Sequence, residues 1–160
     1  MIFVVDRREQ PTKSLEKRLE YLKPYVRETL NAGDYTAKTL LPNGEWFYCP
    51  VAIERKMSLT EISGNLTRER ERFRAEFNRA REHGIRLYIL IEQASWEEAY
   101  AGAYRSQMKP KSMIASLMTW SARYGCSVVM CKRPETAGKL IRDILHYEMR
   151  EHLERMVGYD

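Results

Sequence analysis

Glu54-Arg55-Lys56 follows an apolar stretch, Val51-Ala52-Ile53, and sets an acid and two bases at the end of one extended segment. Side chains alternate across a strand, so Glu54 and Lys56 share a face and Arg55 points the other way. Upstream, Pro42-Asn43-Gly44 is a hairpin turn signal. A three-residue loop with Gly44 left-handed pairs Leu41 with Glu45 and sets Asp34 opposite Ala52. Asp34, Ala52, Glu54 and Lys56 then occupy one face. Tyr35, Ala37, Leu41, Phe47, Cys49, Val51 and Ile53 occupy the other, an apolar face expected to be the core side. A two-residue loop would shift this register and separate Asp34 from Glu54. Pro50 is a second place where the ladder can be disturbed.

An Asp beside a Glu offers hard oxygen ligands suited to Mg²⁺ or Mn²⁺. A lysine on the same face can stabilise charge on a transferring phosphate or help position an attacking water. A metal held there would polarise the phosphate and lower the pKa of its bound water. Taken alone, the tripeptide also fits an ordinary charged strand end. Asp6 and Glu9, in Val5-Asp6-Arg7-Arg8-Glu9, add weight. They follow the first strand at its C-terminal end, where α/β sheets place ligands. A plain charged loop is the alternative there.

The elements that must hold these residues follow from periodicity and punctuation. Met1–Val5 reads as a buried strand; it lacks the basic leader and cleavage site of a signal peptide. Ser14–Leu22 reads as a helix with Ser14 as N-cap and Leu15, Leu19 and Leu22 on one face. Pro24 ends it. Strands are predicted over about Tyr35–Leu41 and Glu45–Glu54. Ser58 caps a short helical segment interrupted near Gly64. A helix over about Arg68–His83 turns Phe73, Phe77 and Ala80 inward and stops at Gly84. Leu87–Ile91 has the continuous apolar run of a buried parallel strand. A short helix (Ser95–Tyr100), a helix over about Pro110–Tyr124, a strand (Ser127–Cys131) and a long final helix over about 135–156 complete the chain. The expected fold is α/β: a mixed central sheet flanked by helices, with right-handed crossovers.

With 160 residues and no repeat or linker, the chain reads as one domain spanning 1–160. No run of about 18 apolar residues occurs, so no membrane span is expected and the protein is expected to be soluble and cytoplasmic. The cysteines, Cys49, Cys126 and Cys131, are odd in number and form no CxxC pair, so they read as reduced thiols. His83, His146 and His152 complete no zinc pattern. A net charge of +5 fits a polyanionic partner.

Val5-Asp6-Arg7-Arg8-Glu9, Gly33-Asp34-Tyr35 and Ile53-Glu54-Arg55-Lys56 together resemble the XPF-type nuclease domain family, with its GD…ERK signature and Asp-x-x-Glu after the first strand. The resemblance continues through Ser58-Leu59-Thr60-Glu61-Ile62, Gly64-Asn65-Leu66, Arg72-Phe73 and Tyr88-Ile89-Leu90-Ile91-Glu92, and covers roughly residues 1–145. It implies a restriction-endonuclease-like fold and a metal-dependent DNA endonuclease using Mg²⁺ or Mn²⁺ on flapped, branched or junction DNA. It implies that Asp34 and Glu54 bind the metal, that Asp6 and Glu9 complete the acidic cluster, and that Lys56 is catalytic. Where the family has an Asp four residues after the lysine, this chain has Thr60, followed by Glu61, which could replace it. Glu76 stands where many members have Gln. The helix-hairpin-helix and helicase domains of larger members are missing from the sequence. Such short versions resemble phage and prokaryotic forms, and that source is expected.

For DNA, the candidate contacts are Arg55, Arg68, Arg70 and Arg72, with Arg105, Lys109 and Lys111 in a second basic stretch that could track a phosphate backbone. Arg55 faces away from Glu54, which favours a supporting role. The apolar stripe of the final helix suits core packing, and the family habit of pairing implies a possible homodimer. Two other readings compete: a non-catalytic DNA-binding scaffold, and a recombination accessory working through protein contacts.

Overall fold

A computed structural model describes residues 1–158. The last two residues of the expected domain lie outside the described residues. A seven-stranded mixed sheet has the order β2-β1-β3-β5-β6-β7, with β4 paired to β3 beside this path. The strands are β1 (Ile2–Asp6), β2 (Tyr25–Glu28), β3 (Tyr35–Leu40), β4 (Trp46–Tyr48), β5 (Val51–Lys56), β6 (Arg86–Ile91) and β7 (Ser127–Met130). The helices are α1 (Lys13–Leu19), α2 (Leu59–Leu66), α3 (Arg70–Glu82), α4 (Trp96–Ala101), α5 (Pro110–Tyr124) and α6 (Pro134–Met156). β5, β6 and β7 run parallel, linked by α2–α3 and by α4–α5. Among the described residues no helix is long and apolar enough to cross a membrane. All three cysteines are buried and unpaired.

Several sequence expectations need correction. β2 was not anticipated. Tyr-Val-Arg-Glu has no apolar face, and the strand forms at the sheet edge as a parallel partner of β1. The first helix is capped by Thr12, whose side chain accepts the Leu15 N–H, rather than by Ser14, and it ends at Leu19. The long second hairpin strand is two strands, split at Cys49-Pro50.

That split resets the register. Near the turn the expected pairing holds: Lys38 lies opposite Tyr48 and Leu40 opposite Trp46, and Gly44 is left-handed at φ 86°. Further along, Tyr35 pairs with Ile53, so two extra residues are spent on the Cys49-Pro50 side. Thr36 Oγ1 spans the gap by donating to the Val51 carbonyl at 2.7 Å. A shift of two preserves which face each side chain takes. Asp34 therefore keeps its face but comes level with Glu54 rather than Ala52.

Both faces of the sheet are covered, as expected of a sheet flanked by helices, so the face of Asp34 is also a core side. Phe3, Val5, Tyr35, Ala37, Val51 and Ile53 pack against Leu15 and Leu22 and against Ile141 and Leu145 of α6. Ala52, on the face of Asp34, packs with Ile62 of α2, Phe73 and Phe77 of α3, and Leu117 and Trp120 of α5. α6 buries Ala137, Ile141, Leu145 and Met149, so its stripe is largely core, while Tyr147 and Met156 stay exposed.

A buried polar chain ties α1 to the sheet. Arg18, 1% exposed, donates from Nε to the Tyr35 hydroxyl at 3.0 Å and from Nη1 to Glu92 Oε1 at 2.8 Å. Tyr35 in turn donates to Glu9 Oε2 at 2.7 Å, and Arg55 Nη2 donates to Glu92 Oε2 at 3.2 Å. Buried charges persist only when paired in this way.

Two stability measurements follow. Gly33 has φ 74°, and a Cβ there would lie 2.8 Å from the Ala52 Cβ and 3.1 Å from the Ile53 carbonyl oxygen. Gly33→Ala should lower the urea-unfolding free energy by about 2–4 kcal/mol, from left-handed strain plus overpacking. Arg18→Met should cost about 3 kcal/mol by leaving Glu92 with Arg55 as its one cationic partner and the Tyr35 hydroxyl without its donor. Adding Glu92→Gln should recover part of that loss, and a double-mutant cycle with zero coupling would refute the pairing.

Candidate active site

Gly33 delivers Asp34 to the start of β3, where its N–H donates to the Ile53 carbonyl at 2.7 Å. Asp34 Oδ2 accepts the Arg55 N–H at 2.8 Å, which fixes the carboxylate against β5. Burial, then the charges of Glu54 and Glu9, push its pKa well above the usual range. Glu54 is also raised, chiefly by burial, with Glu76 and Glu9 adding to the shift and Lys56 opposing it. Glu54 thus makes Asp34 harder to ionise, and a nearby positive charge is the natural complement.

Part of that charge comes from Lys56, whose Nζ lies 3.1 Å from Glu54 Oε1 and 5.1 Å from the Phe73 ring centroid. Burial works against its ammonium, yet Glu54, Glu76 and Glu61 hold its pKa above the ordinary value. At neutral pH Lys56 is therefore a cation, suited to stabilising negative charge rather than to taking a proton. Glu61, Asn65, Glu69, Arg72 and Glu76, from α2 and α3, join Glu54 and Lys56 around a cavity of about 230 Å³. Glu61 combines this position with a capping role: Ser58 Oγ accepts its N–H, and its own carboxylate accepts the Met57 N–H at 2.9 Å.

Asp6 and Glu9 are placed differently. Both Asp6 oxygens are occupied: they accept from the Arg8 N–H and guanidinium and from the Leu30 N–H, all at 2.8–2.9 Å. Burial works against the Asp6 charge, but these bonds, led by that from the Arg8 side chain, hold its pKa below the usual range. Glu9 gives one oxygen to the Tyr35 hydroxyl and lies 3.8 Å from Arg18, while its charge still reaches Asp34. Among the described residues no three His, Cys, Asp or Glu side chains gather closely enough to hold an ion. The donor set that fits one is Asp34 with Glu54. Mg²⁺ is commonly held by one or two carboxylates, with waters and substrate phosphates filling the rest. Asn65 Oδ1 points the same way: it is a buried oxygen without a hydrogen-bond partner, on a residue lining the Glu54 cavity.

The basic candidates are dispersed. Arg72 reaches the acid cavity with its side chain 78% exposed. Arg70 instead lies over Trp120, 4.9 Å from the ring, and donates to the Leu66 carbonyl. Arg55 points to the opposite face and holds Glu92, as its alternation with Glu54 anticipated. Arg68 and Arg105 meet in a separate cavity, and Lys109 and Lys111 are exposed at the start of α5. Sequence reasoning missed Arg18, Arg8 and Tyr35 as supports. The signal for Arg18 was a charge at helical spacing within the apolar stripe of Leu15 and Leu22.

The ERCC4 domain model matches residues 5–144. No curated protein sequence matches the chain. Among solved structures, XPF from Aeropyrum pernix is similar, with a TM-score of 0.65 and 17% identity over 92% of this chain and 61% of that one. XPF from Aeropyrum pernix in complex with DNA gives 0.66 and 17% over 93% and 65%. The chain thus spans a little under two thirds of those proteins, and at such identity the likeness is one of fold. Nothing in these matches supports a phage origin. The family match runs from before Asp6 to beyond Lys56 and on into α6, so the chain belongs to the ERCC4 domain family, the XPF-type nuclease domains.

Proposed function

We propose that this chain is a metal-dependent endonuclease that hydrolyses phosphodiester bonds in DNA, with Asp34, Glu54 and Lys56 at its centre. The observation that carries this reading is the register that sets Asp34 level with Glu54 on one face of the sheet, with the Lys56 ammonium 3.1 Å from Glu54 Oε1. A Mg²⁺ or Mn²⁺ ion held by Asp34 and Glu54 would polarise the phosphate and supply an acidified water. The protein's own contribution is placement. The Arg55 N–H fixes Asp34, and the Lys56 ammonium faces the charge that develops on the phosphate. Arg72 offers a mobile cation at the cavity mouth. Glu9 adds negative charge that favours a bound cation, while Asp6 holds Arg8 in place beside the acids.

Flapped, branched or junction DNA is the substrate class this reading favours, on the family likeness and on a DNA complex of the similar XPF from Aeropyrum pernix. Pairing of two copies through exposed parts of α6, such as Tyr147 and Met156, would let two sites act on two strands.

Labelled duplex, flap and junction DNA should be cut with Mg²⁺ or Mn²⁺ and left whole in EDTA. Glu54→Gln, Asp34→Asn and Lys56→Ala should each slow cutting by roughly 10²–10³-fold, with DNA binding retained for Lys56→Ala. Cutting by Glu54→Gln at the unmodified rate would sink the assignment. Binding without cutting in either metal would leave the scaffold reading in its place.

A further inference from the structure

α2 has two flanks. Glu61 and Asn65 line the acid cavity on one of them. On the other lies a cavity of about 560 Å³, closed on its far side by residues 105–108. Thr60, Ser63, Gly64 and Arg68 form one wall, Arg105 and Ser106 the other, and no acid lines it. Some arginines sit against carboxylates, as Arg74 does with Glu71, Arg142 with Asp143 and Arg150 with Glu154, and others donate to backbone carbonyls, as Arg79 does to Asn31 and Arg81 to Arg123. Neither Arg68 nor Arg105 has such a partner among the described residues. The Arg68 guanidinium rests on bare backbone: a Cβ at Gly64 would lie 3.6 Å from its Nη2.

The hydroxyls sharpen the picture. Thr60 Oγ1 accepts the Arg105 N–H at 3.0 Å, and Ser106 Oγ accepts the Met108 N–H at 3.0 Å. Each hydroxyl keeps its own proton to donate. Ser63 and Thr67, by contrast, spend theirs on the carbonyls of Thr60 and Ser63. Two guanidinium forks and two free O–H donors facing one space, with no acidic side chain among them, are the chemistry of a phosphate site.

Its distance from the acids has meaning. A helix with its side chains is about 10 Å across, and a DNA strand carries one phosphate per about 3.4 Å of helix axis. Successive phosphates lie farther apart than this rise because the strand winds round the axis, so we propose that this cavity holds a backbone phosphate of the DNA within about three nucleotides of the one that is cut. The inference rests on the nuclease reading for its choice of ligand. It makes Arg68 and Arg105 a clamp that sets where along a strand the acids fall.

The test uses the full chain and labelled flap DNA in EDTA, so that binding is read apart from cutting. Arg68→Ala and Arg105→Ala should each weaken binding by about 5–10-fold and lower the slope of log affinity against log salt by about 1. Arg142→Ala, which removes an equal charge from α6, should change neither. Single methylphosphonate linkages stepped along the strand should weaken binding by the unmodified protein at one position within about three nucleotides of the cut. That penalty should vanish in the Arg68→Ala/Arg105→Ala chain. An unchanged salt slope, or a penalty that persists in the double variant, would overturn the clamp. If these binding signatures appear but no metal supports cutting, the nuclease reading fails while the phosphate site stands. If cutting is intact and the arginine variants bind normally, the clamp alone fails.

Discussion

Two half-buried carboxylates, Asp34 and Glu54, level with each other on one face of the sheet, form the constraint around which the rest is arranged. Like charges repel more strongly as burial lowers the local dielectric. A fold tolerates that only if cations and donors surround the pair. Here they come from separate segments: Lys56 from β5 itself, the Arg55 N–H one residue before it, and Arg8 from the loop after β1. Placing them needs β1, β3 and β5 to lie in that spatial order, which the antiparallel pairings of β3 with both neighbours enforce.

The opposite face carries a second set of charges that touches no expected substrate. Glu92 directly follows β6, where it receives Arg18 from α1 and Arg55 from β5, and Tyr35 links Arg18 to Glu9. Arg55 thus acts at both faces: its backbone N–H serves Asp34 and its side chain serves Glu92. The alternation of strand side chains lets one tripeptide work on both sides of the sheet. α1 can approach this closely because α6 presents Gly138, where a Cβ would lie 2.8 Å from the Arg18 carbonyl oxygen.

Much of this was readable from residues alone, for reasons that differ by element. α5 and the parallel strands carry strong periodicity and clear stops, so α5 matches its expected bounds residue for residue. The pairing of Asp34 with Glu54 on one face survived an error in register because the extra residues at Cys49-Pro50 number two. A single extra residue would have reversed it. β2 escaped notice because an edge strand needs no apolar face and draws its stability from β1. The partners of Asp6 and Glu9 escaped too. Which carboxylates converge and which are consumed by arginine and tyrosine depends on contacts between distant segments, which spacing does not encode.

The same break at Cys49-Pro50 has a consequence for how this architecture can be altered. β5 takes its register from Tyr35 and from its parallel ladder with β6, Val51 against Arg86 through Lys56 against Ile91, and owes nothing to the turn. The hairpin tip stands clear of the sheet body, with Leu40 and Trp46 half in solvent. Lengthening the chain between them costs only loop entropy, which grows slowly with length. The tip is a mechanical outrigger, able to carry a fluorophore, a peptide tag or an inserted domain while the acids at the far end stay where they are.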